Sequence, residues 1–237
     1  MNKLFKFKEF TVEQDKCAMK VGTDGVLLGA WTSLRNNPQS ILDVGAGTGL
    51  IALQLAQRSS AELIDAIELD EAAYEQCVQN FEASQWADRL FCYHAGFDEF
   101  MDEIDDEYDL IVSNPPFYVE EVASGDVARD LARQNNSLPF QELLQGVSKL
   151  LSQDGIFSVI IPYKQELDFL HLATMVGLHP SRITHVKGTP EAEVKRSLIE
   201  LTFSKTETKF NELVIELARH QYTKQYIELT KAFYLKM

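Results

Sequence analysis

The segment Asn114-Pro115-Pro116-Phe117 combines residue types that suit chemistry on an amino group. It follows the apolar run at residues 110–113, and the two prolines force a strand there to give way to an irregular loop. The Asn114 amide oxygen and the Pro115 carbonyl are acceptors for a planar amino group, and Phe117 is placed to stack on the ring that carries it. Such acceptors aim the nitrogen lone pair, as methyl transfer to that nitrogen requires. The alternative interpretation is a strand end that the prolines merely terminate.

A glycine-rich turn lies upstream of this segment. Residues 41–44 form a short apolar strand, Gly45, Gly47 and Gly49 follow within DVGAGTG, and residues 49–57 have a helical pattern. Strand, glycine turn and helix together predict a nucleotide-type site, because glycines permit the tight turn and let a ligand approach the backbone. The G-x-G-x-G spacing differs from the G-x-G-x-x-G of dinucleotide enzymes, so the turn alone is a weak signal.

An acidic residue, Glu68, ends the second predicted strand nineteen residues after Gly49. An acid in this position suits hydrogen bonds to a ribose diol, as it does in dinucleotide-binding folds. An ordinary solvated strand end is the alternative. Because open α/β sheets bind ligands at the carboxyl ends of their strands, we expect Glu68 and Asn114 to lie near the glycine turn.

The elements that must position these residues alternate along the chain. Strands are predicted at residues 41–44, 63–68, 90–93, 108–113 and 155–161, and helices at 49–57, 71–84, 97–103, 138–151 and 166–176. This alternation predicts an α/β fold with a parallel sheet and right-handed crossovers. Two consecutive strands, at residues 182–187 and 197–203, depart from the alternation. Before the glycine turn we predict a short strand at 10–12 and a helix at 25–31.

The composition excludes several classes of protein. With 45% hydrophobic and 24% charged residues, the 237 residues are typical of one soluble domain with, at most, small appendages. No apolar run approaches the roughly 18 residues of a membrane span, and residues 1–8 do not have the pattern of a signal peptide. Cys17, Cys77 and Cys92 lack metal-ligand spacing and cannot all pair, so we expect free thiols in a reducing cytoplasm, and no metal.

The charge is distributed unevenly. A net charge of −14 argues against a general nucleic-acid binder. Residues 25–180 carry 7 Lys and Arg against 25 Asp and Glu, but residues 1–24 carry 5 against 4 and residues 181–237 carry 10 against 7. If both ends fold onto one rim, they present a positive face beside an acidic core. The alternative is that the acidic excess serves solubility alone.

The motifs DVGAGTG, IELD and NPPF, at these intervals over residues 41–162, resemble the class I S-adenosylmethionine-dependent methyltransferases that act on exocyclic or amide nitrogens. Residues 20–31 and 226–231 are similar to the bacterial tRNA1(Val) adenine-37 N6-methyltransferases, which extends the resemblance to nearly the whole chain. It implies a Rossmann-like, seven-stranded, mostly parallel sheet with helices on both faces and an antiparallel C-terminal hairpin. One methyltransferase domain, 1–237, would comprise an N-terminal segment (1–40), a cofactor and catalytic core (41–162) and C-terminal strands and helices (163–237).

The same resemblance implies a set of functional residues. S-adenosylmethionine, converted to S-adenosylhomocysteine, would be the cofactor, without a metal. Asp98 is placed at the adenine with Phe97 flanking the ring, although its interval is slightly shifted and its neighbours remain alternatives. The cofactor-binding set is Thr23, Asp24, Asp43, Gly45, Gly47, Gly49, Glu68, Asp98 and Asn114, and the catalytic set is Asn114, Pro115, Pro116 and Phe117.

Contacts to a tRNA substrate are expected in two places. Arg129 and Arg133 lie in the polar stretch at residues 118–137, which would be a lid, a substrate clamp or simply an exposed loop. Lys195 and Arg196 open a predicted strand and are either phosphate contacts or a solvated strand start. The sequence gives no sign of an obligate protein partner or of membrane attachment.

Four other functions are open to a protein with these motifs. Enzymes that methylate protein glutamine favour Tyr where Phe117 stands and carry a helical domain that 40 residues cannot hold. Enzymes that methylate guanine N2 of ribosomal RNA usually bring a further large domain. DNA adenine enzymes more often have Asp at position 114. A non-catalytic cofactor-binding scaffold is the fourth alternative, and the complete Asn114–Phe117 segment argues against it.

Overall fold

The computed structural model of the protein describes residues 4–116 and 138–236. Its strands are β1 (Leu4–Lys6), β2 (Thr11–Glu13), β3 (Ser40–Val44), β4 (Leu63–Glu68), β5 (Leu90–His94), β6 (Tyr108–Ser113), β7 (Leu151–Pro162), β8 (His179–Lys187), β9 (Val194–Thr202), β10 (Lys209–Val214), β11 (Glu216–Ala218) and β12 (Gln221–Tyr222). Its helices are α1 (Thr23–Trp31), α2 (Leu50–Arg58), α3 (Glu71–Glu82), α4 (Phe97–Glu103), α5 (Phe140–Leu150), α6 (Glu166–Met175) and α7 (Lys224–Thr230), with a 3₁₀ turn at Tyr163–Gln165.

The central sheet has the strand order β5-β4-β3-β6-β7-β9-β8-β10. Neighbouring strands are parallel except for β9, which runs antiparallel to both β7 and β8. The predicted α/β class and the antiparallel hairpin near the carboxyl end are therefore confirmed. The sheet has eight strands rather than the expected seven, because β10 adds to the edge beside β8. Its residues are mostly exposed, so no apolar run marks it in the sequence.

The strands of the sheet centre are apolar on both sides because helices cover both faces. In β3, Ile41 belongs to the core on one face and Leu42 to the core on the other, and both are fully buried. The first core contains side chains of α1, α2 and α3, and the second those of α4, α5 and α6. This arrangement fixes the carboxyl ends of β3, β4 and β6 side by side at one edge of the sheet.

Residues near the two ends of the chain pair with each other. Phe7 forms an antiparallel bridge with Tyr234, and the Lys8 backbone nitrogen donates to the Phe233 carbonyl at 2.8 Å. The Phe7 ring stacks on Phe10 at a centroid distance of 4.7 Å and lies 5.9 Å from the Tyr234 ring. An aromatic cluster therefore joins the β1–β2 hairpin to the segment after α7. Within the described residues, none of the helices has the length and apolar character needed to cross a membrane.

Candidate active site

A cleft of about 610 Å³ opens where β3, β4 and β6 end. It is lined by the glycine turn, the end of β4, the start of α4, the residues after β6 and a segment before α1; its lining includes Cys17, Ala18, Met19, Gly45, Gly47, Glu68, Asp70, Gly96, Phe97, Asp98, Glu99, Asn114, Pro115, Pro116 and Glu142. Its volume suits a nucleoside-sized ligand. A smaller cleft of about 180 Å³, at the amino ends of the strands, contains none of the predicted site residues that the structure describes.

The glycine turn has left-handed backbone at three positions. Gly45, Gly47 and Gly49 have φ of +74°, +56° and +77°, values that side chains with a Cβ rarely adopt. A Cβ added at Gly45 or Gly47 would meet nothing within 4 Å, so the backbone there faces open space. A Cβ at Gly49 would lie 2.5 Å from the Phe81 ring. Gly45 and Gly47 thus leave room for a ligand, whereas Gly49 permits close packing of the turn on α3.

Glu68 connects the end of β4 to the glycine turn. Its Oε2 accepts a hydrogen bond from the Gly47 backbone nitrogen at 2.8 Å, and its Oε1 accepts one from the Asp70 backbone nitrogen at 2.9 Å. A carboxylate has about four acceptor sites, so two protein donors leave capacity for ligand hydroxyls. Because Glu68 also lines the cleft, it is suitably placed for the ribose contact that the sequence predicts.

Asp43 lies behind the glycine turn and is fully buried. Its Oδ2 accepts a hydrogen bond from the Ala52 backbone nitrogen at 3.1 Å, in the first turn of α2. Its Oδ1 has no hydrogen-bond partner among the described residues. Burial raises the pKa of this carboxyl to about 7, with the charge of Glu68 adding to the effect. Asp43 is therefore placed to support the turn from behind and is not part of the described cleft lining.

Asn114 follows β6 and faces the cleft. Its Oδ1 is buried without a hydrogen-bond partner in the described part of the chain. Ser113, the preceding residue, donates through Oγ to the Val44 carbonyl at 2.9 Å, which ties the end of β6 to the end of β3. Other buried polar atoms of the described residues also lack a partner, but Asn114 is the residue among them that lines the cleft, where a ligand could supply the donor. Pro115 and Pro116 continue this wall of the cleft, and Phe117 lies outside the described residues.

The start of α4 brings an aromatic ring and two carboxylates to the cleft. Phe97 is buried and lines it, while Asp98 and Glu99 are exposed at its rim. Glu99 Oε2 accepts from the Gly96 backbone nitrogen at 3.2 Å. Asp98 and Glu99 both line the cleft, so the structure does not choose between them for the adenine contact that the sequence predicts.

The remaining predicted site residues are placed differently. Thr23 is exposed and Asp24 half-buried at the start of α1, and neither is in the described cleft lining. Asp24 Oδ2 accepts from Arg196 Nε at 2.9 Å, so a predicted cofactor residue and a predicted RNA residue pair with each other. Lys195 beside them is exposed. Arg129 and Arg133 lie outside the described residues.

Two parts of the cleft lining were missed in the sequence. Cys17, Ala18 and Met19 belong to a segment without helical or strand periodicity. The one feature of the sequence that could have pointed to them is that they directly precede residues 20–31, which carry part of the family resemblance. Glu142 lies in the first turn of α5. Acidic residues are common in that position because they interact favourably with the helix dipole, so Glu142 did not stand out in the sequence as a site residue. Within the described part of the chain, no cluster of His, Cys, Asp and Glu is arranged to hold a metal ion.

Comparison with known proteins places the chain in a family. Residues 25–177 match the family described as Methyltransferase small domain. The chain is 62% identical to a tRNA1(Val) (adenine(37)-N6)-methyltransferase of Flavobacterium psychrophilum, over 99% of this chain and 100% of that protein. It is 48% identical to a protein of the same name from Bacteroides fragilis, over 98% of each. The chain belongs to the tRNA1(Val) (adenine(37)-N6)-methyltransferase family.

The fold of this family member is also found in solved structures. A predicted O-methyltransferase from Agrobacterium tumefaciens superposes with a TM-score of 0.67 at 19% identity, over 89% of this chain and 96% of that one. At that identity the likeness shows the shared fold alone.

The tRNA1(Val) (adenine(37)-N6)-methyltransferase family depends on S-adenosylmethionine, which agrees with the cofactor predicted from the sequence. The residues present fit this cofactor. Open space beside Gly45 and Gly47 admits a ligand against the backbone, and Glu68 offers a carboxylate at the same wall. Phe97, Asp98 and Glu99 supply an aromatic ring and two acceptors. They follow β5, which is the strand next to β4 and therefore about one strand spacing from Glu68 along the sheet edge.

Proposed function

We propose that this protein methylates the exocyclic N6 of adenine 37 in tRNA1(Val), using S-adenosylmethionine. The observation that carries the proposal is the buried Asn114 Oδ1 without a partner, at the carboxyl end of β6 and in the same cleft as the glycine turn. An acceptor in this place suits a target that brings an N–H donor, and an adenine amino group does. The names of the full-length relatives support the choice of substrate.

The cofactor is held along the sheet edge in this proposal. The backbone at Gly45 and Gly47 receives the amino acid end, Glu68 accepts hydrogen bonds from the ribose hydroxyls, and Asp98 or Glu99 accepts from the adenine amino group. Asp43 acts indirectly, by holding the turn and α2 together through the Ala52 amide. When bound, the cofactor supplies an electrophilic methyl group on a sulfonium.

The target base is held on the other side of that methyl group. Asn114 Oδ1 and the Pro115 carbonyl accept the two N6 hydrogens, which directs the nitrogen lone pair toward the cofactor, and the Phe117 ring stacks on the base. The rate enhancement would come from this in-line positioning, since a neutral amino group can attack a sulfonium methyl group without a strong base. The carbon–sulfur bond breaks to leave the thioether of S-adenosylhomocysteine, and the positively charged methylated nitrogen then releases one proton to water. A base must leave its stack to enter the cleft, at a cost of roughly a few kcal/mol that an RNA loop reduces.

The RNA contact is expected to be modest and sensitive to salt. With a net charge of −14, attraction to phosphates must come from local basic side chains, of which Lys195 is exposed beside Arg196. The affinity should therefore fall with ionic strength according to the few phosphates contacted. Because a tRNA substrate and free thiols both belong to a reducing compartment, the protein is proposed to act in the cytoplasm.

The test compares Asn114→Ala with the wild-type protein. We expect a loss of at least about 100-fold in methyl transfer to transcribed tRNA1(Val), because one lost preorganised contact to the reacting group typically costs that much. Affinity for S-adenosylhomocysteine, measured by calorimetry, should stay within a few-fold. Asn211→Ala, at an exposed position on β10, is the matched control and should change neither quantity. More than about a tenth of wild-type turnover in Asn114→Ala would contradict the assigned role.

The substrate is tested with labelled methyl transfer to tRNA, followed by nucleoside digestion. Label in N6-methyladenosine that disappears when adenine 37 is replaced by guanine supports the proposal. Label in guanosine, or in protein glutamine when total protein is supplied, would replace it with one of the rival reactions. Binding of S-adenosylhomocysteine without any transfer would indicate the scaffold.

A further inference from the structure

Three consecutive residues, Cys17, Ala18 and Met19, form one wall of the cleft. We call them the 17–19 wall. Burial raises the pKa of the Cys17 thiol and the charges of Glu68 and Asp70 raise it further, so the wall lies near these two carboxylates. Residues 14–21, all of which the structure describes, form neither helix nor strand. A wall without a backbone ladder must take its position from other contacts.

Buried amide side chains of α3 supply those contacts. Gln76 is fully buried, and its Oε1 accepts from the backbone nitrogens of Lys16 at 2.8 Å and Cys17 at 3.3 Å. Its Nε2 donates to Asp15 Oδ1 at 3.0 Å. Gln76 therefore holds the start of the 17–19 wall directly, through the backbone.

Asn80 lies one helical turn further along the same face of α3 and is 2% exposed. Its Oδ1 accepts from the Glu13 backbone nitrogen at 2.8 Å, and its Nδ2 donates to the Glu13 carbonyl at 3.0 Å and to the Thr48 carbonyl at 2.8 Å. Thr48 belongs to the glycine turn. One side chain thus connects the end of β2, ahead of the wall, to the turn that faces the opening of the cleft.

Burying an amide side chain costs free energy unless its donors and acceptors are paired. The partners of Gln76 and Asn80 provide this pairing, and most of them are backbone groups of the segment before the wall and of the glycine turn. We propose that the 17–19 wall contacts the bound cofactor on its ribose side, and that Gln76 and Asn80 are positioning residues which hold this wall and the glycine turn in register. The proposal rests on cofactor binding in this cleft. In this proposal the 17–19 wall, Gln76 and Asn80, none of which belongs to the DVGAGTG, IELD or NPPF motifs, contribute to the affinity for the cofactor.

The first test removes the Gln76 hydrogen bonds with little change in size. In Gln76→Leu we expect the wall to sample other positions. The apparent dissociation constant for S-adenosylhomocysteine then rises by the inverse of the fraction of molecules whose wall is in place, which is about tenfold if that fraction is a tenth. KM for S-adenosylmethionine should rise more than kcat falls. Gln79→Leu, at an exposed position on the same helix, is the control and should bind as wild type.

A second variant tests the wall without touching the core. Met19 is 57% exposed in the cleft wall, and Met175, at the end of α6, is 71% exposed. Met19→Ala should weaken S-adenosylhomocysteine binding several-fold, whereas the matched Met175→Ala should not. In the wild type, bound S-adenosylhomocysteine should also slow hydrogen exchange in the peptide that contains residues 13–19.

The outcomes separate this inference from the proposed function. A lower melting temperature in Gln76→Leu with unchanged affinity would make Gln76 a structural residue only and would overturn the inference. Wild-type affinity in Met19→Ala would overturn it too, even if Gln76→Leu fails to fold. Failure of the wild-type protein itself to bind S-adenosylhomocysteine would instead overturn the cofactor site.

Discussion

The buried carboxyl of Asp43 should make the protein less stable as the pH rises. Its pKa is raised from 3.8 to about 7 by burial, so the folded state holds a proton that the unfolded state has released over this interval. The contribution of the protonated carboxyl is complete below pH 3.8 and is lost as the pH rises through 7. At 1.36 kcal/mol per pH unit, the ionised side chain costs about 4 kcal/mol at pH 8.

Asp43→Asn removes the ionisation and keeps an oxygen that can accept from the Ala52 backbone nitrogen. The new amide hydrogens replace an oxygen that has no partner among the described residues, at a cost of about 1–3 kcal/mol at every pH. The variant should therefore be more stable than the wild type at pH 8, by about 1–3 kcal/mol. Between pH 8 and pH 5 this advantage should shrink by about 2–3 kcal/mol, because the wild-type carboxyl becomes protonated.

The assay is urea denaturation of both proteins at several pH values from 5 to 8.5. All other titrating groups are shared, so their effects cancel in the difference between the two free energies of unfolding. Asp88→Asn makes the same chemical change at an exposed side chain and should stay within about 0.5 kcal/mol of the wild type throughout. A difference between Asp43→Asn and wild type that is constant from pH 5 to 8, or that grows toward acid, would refute the reasoning.

Three further outcomes are expected. Gly47→Val should abolish S-adenosylhomocysteine binding in calorimetry while a thermal melt still shows a folded protein, because φ of +56° strains a branched residue and its side chain would occupy the open cleft. Tyr108→Phe should lower the free energy of unfolding in urea by about 1–3 kcal/mol, since it removes the 2.7 Å hydrogen bond to Asp65. Lys195→Glu should lower the affinity for tRNA in a filter-binding assay and leave the affinity for the cofactor unchanged. It should also reduce the slope of log affinity against log salt concentration by about 1.

The sequence predicted the parts of the fold that carry an apolar period. Strands β3, β4, β6 and β7 are buried on both faces and appear as apolar runs in the sequence. Their bounds were therefore predicted to within a few residues. Strand β10 was missed because four of its six residues are exposed at an open edge of the sheet and its apolar residues, Phe210, Leu213 and Val214, do not alternate with polar ones. Helix α7 was not predicted, although α4, which is equally seven residues long, was.

The candidate site was predicted where backbone chemistry restricts the residue type. Glycines with positive φ and prolines after a strand can be recognised one position at a time, and Gly47 and Asn114 both line the cleft. Contacts between distant residues have no such mark. The pairing of Asp24 with Arg196, separated by 172 positions, and the hold of Gln76 on Cys17 depend on the packed fold and could not be read from local pattern.

The pairing of Phe7 and Lys8 with Phe233 and Tyr234 bears on how fast the protein folds. Phe7 and Tyr234 are 227 positions apart in the sequence (234 − 7 = 227). Contacts of such sequence separation raise the contact order, and a high contact order slows folding. The β1–β2 hairpin, which this pairing anchors, leads directly into the 17–19 wall, whose own position depends on Gln76, 60 positions from Lys16. Formation of the cleft wall therefore needs much more local contacts than closure of the aromatic cluster does.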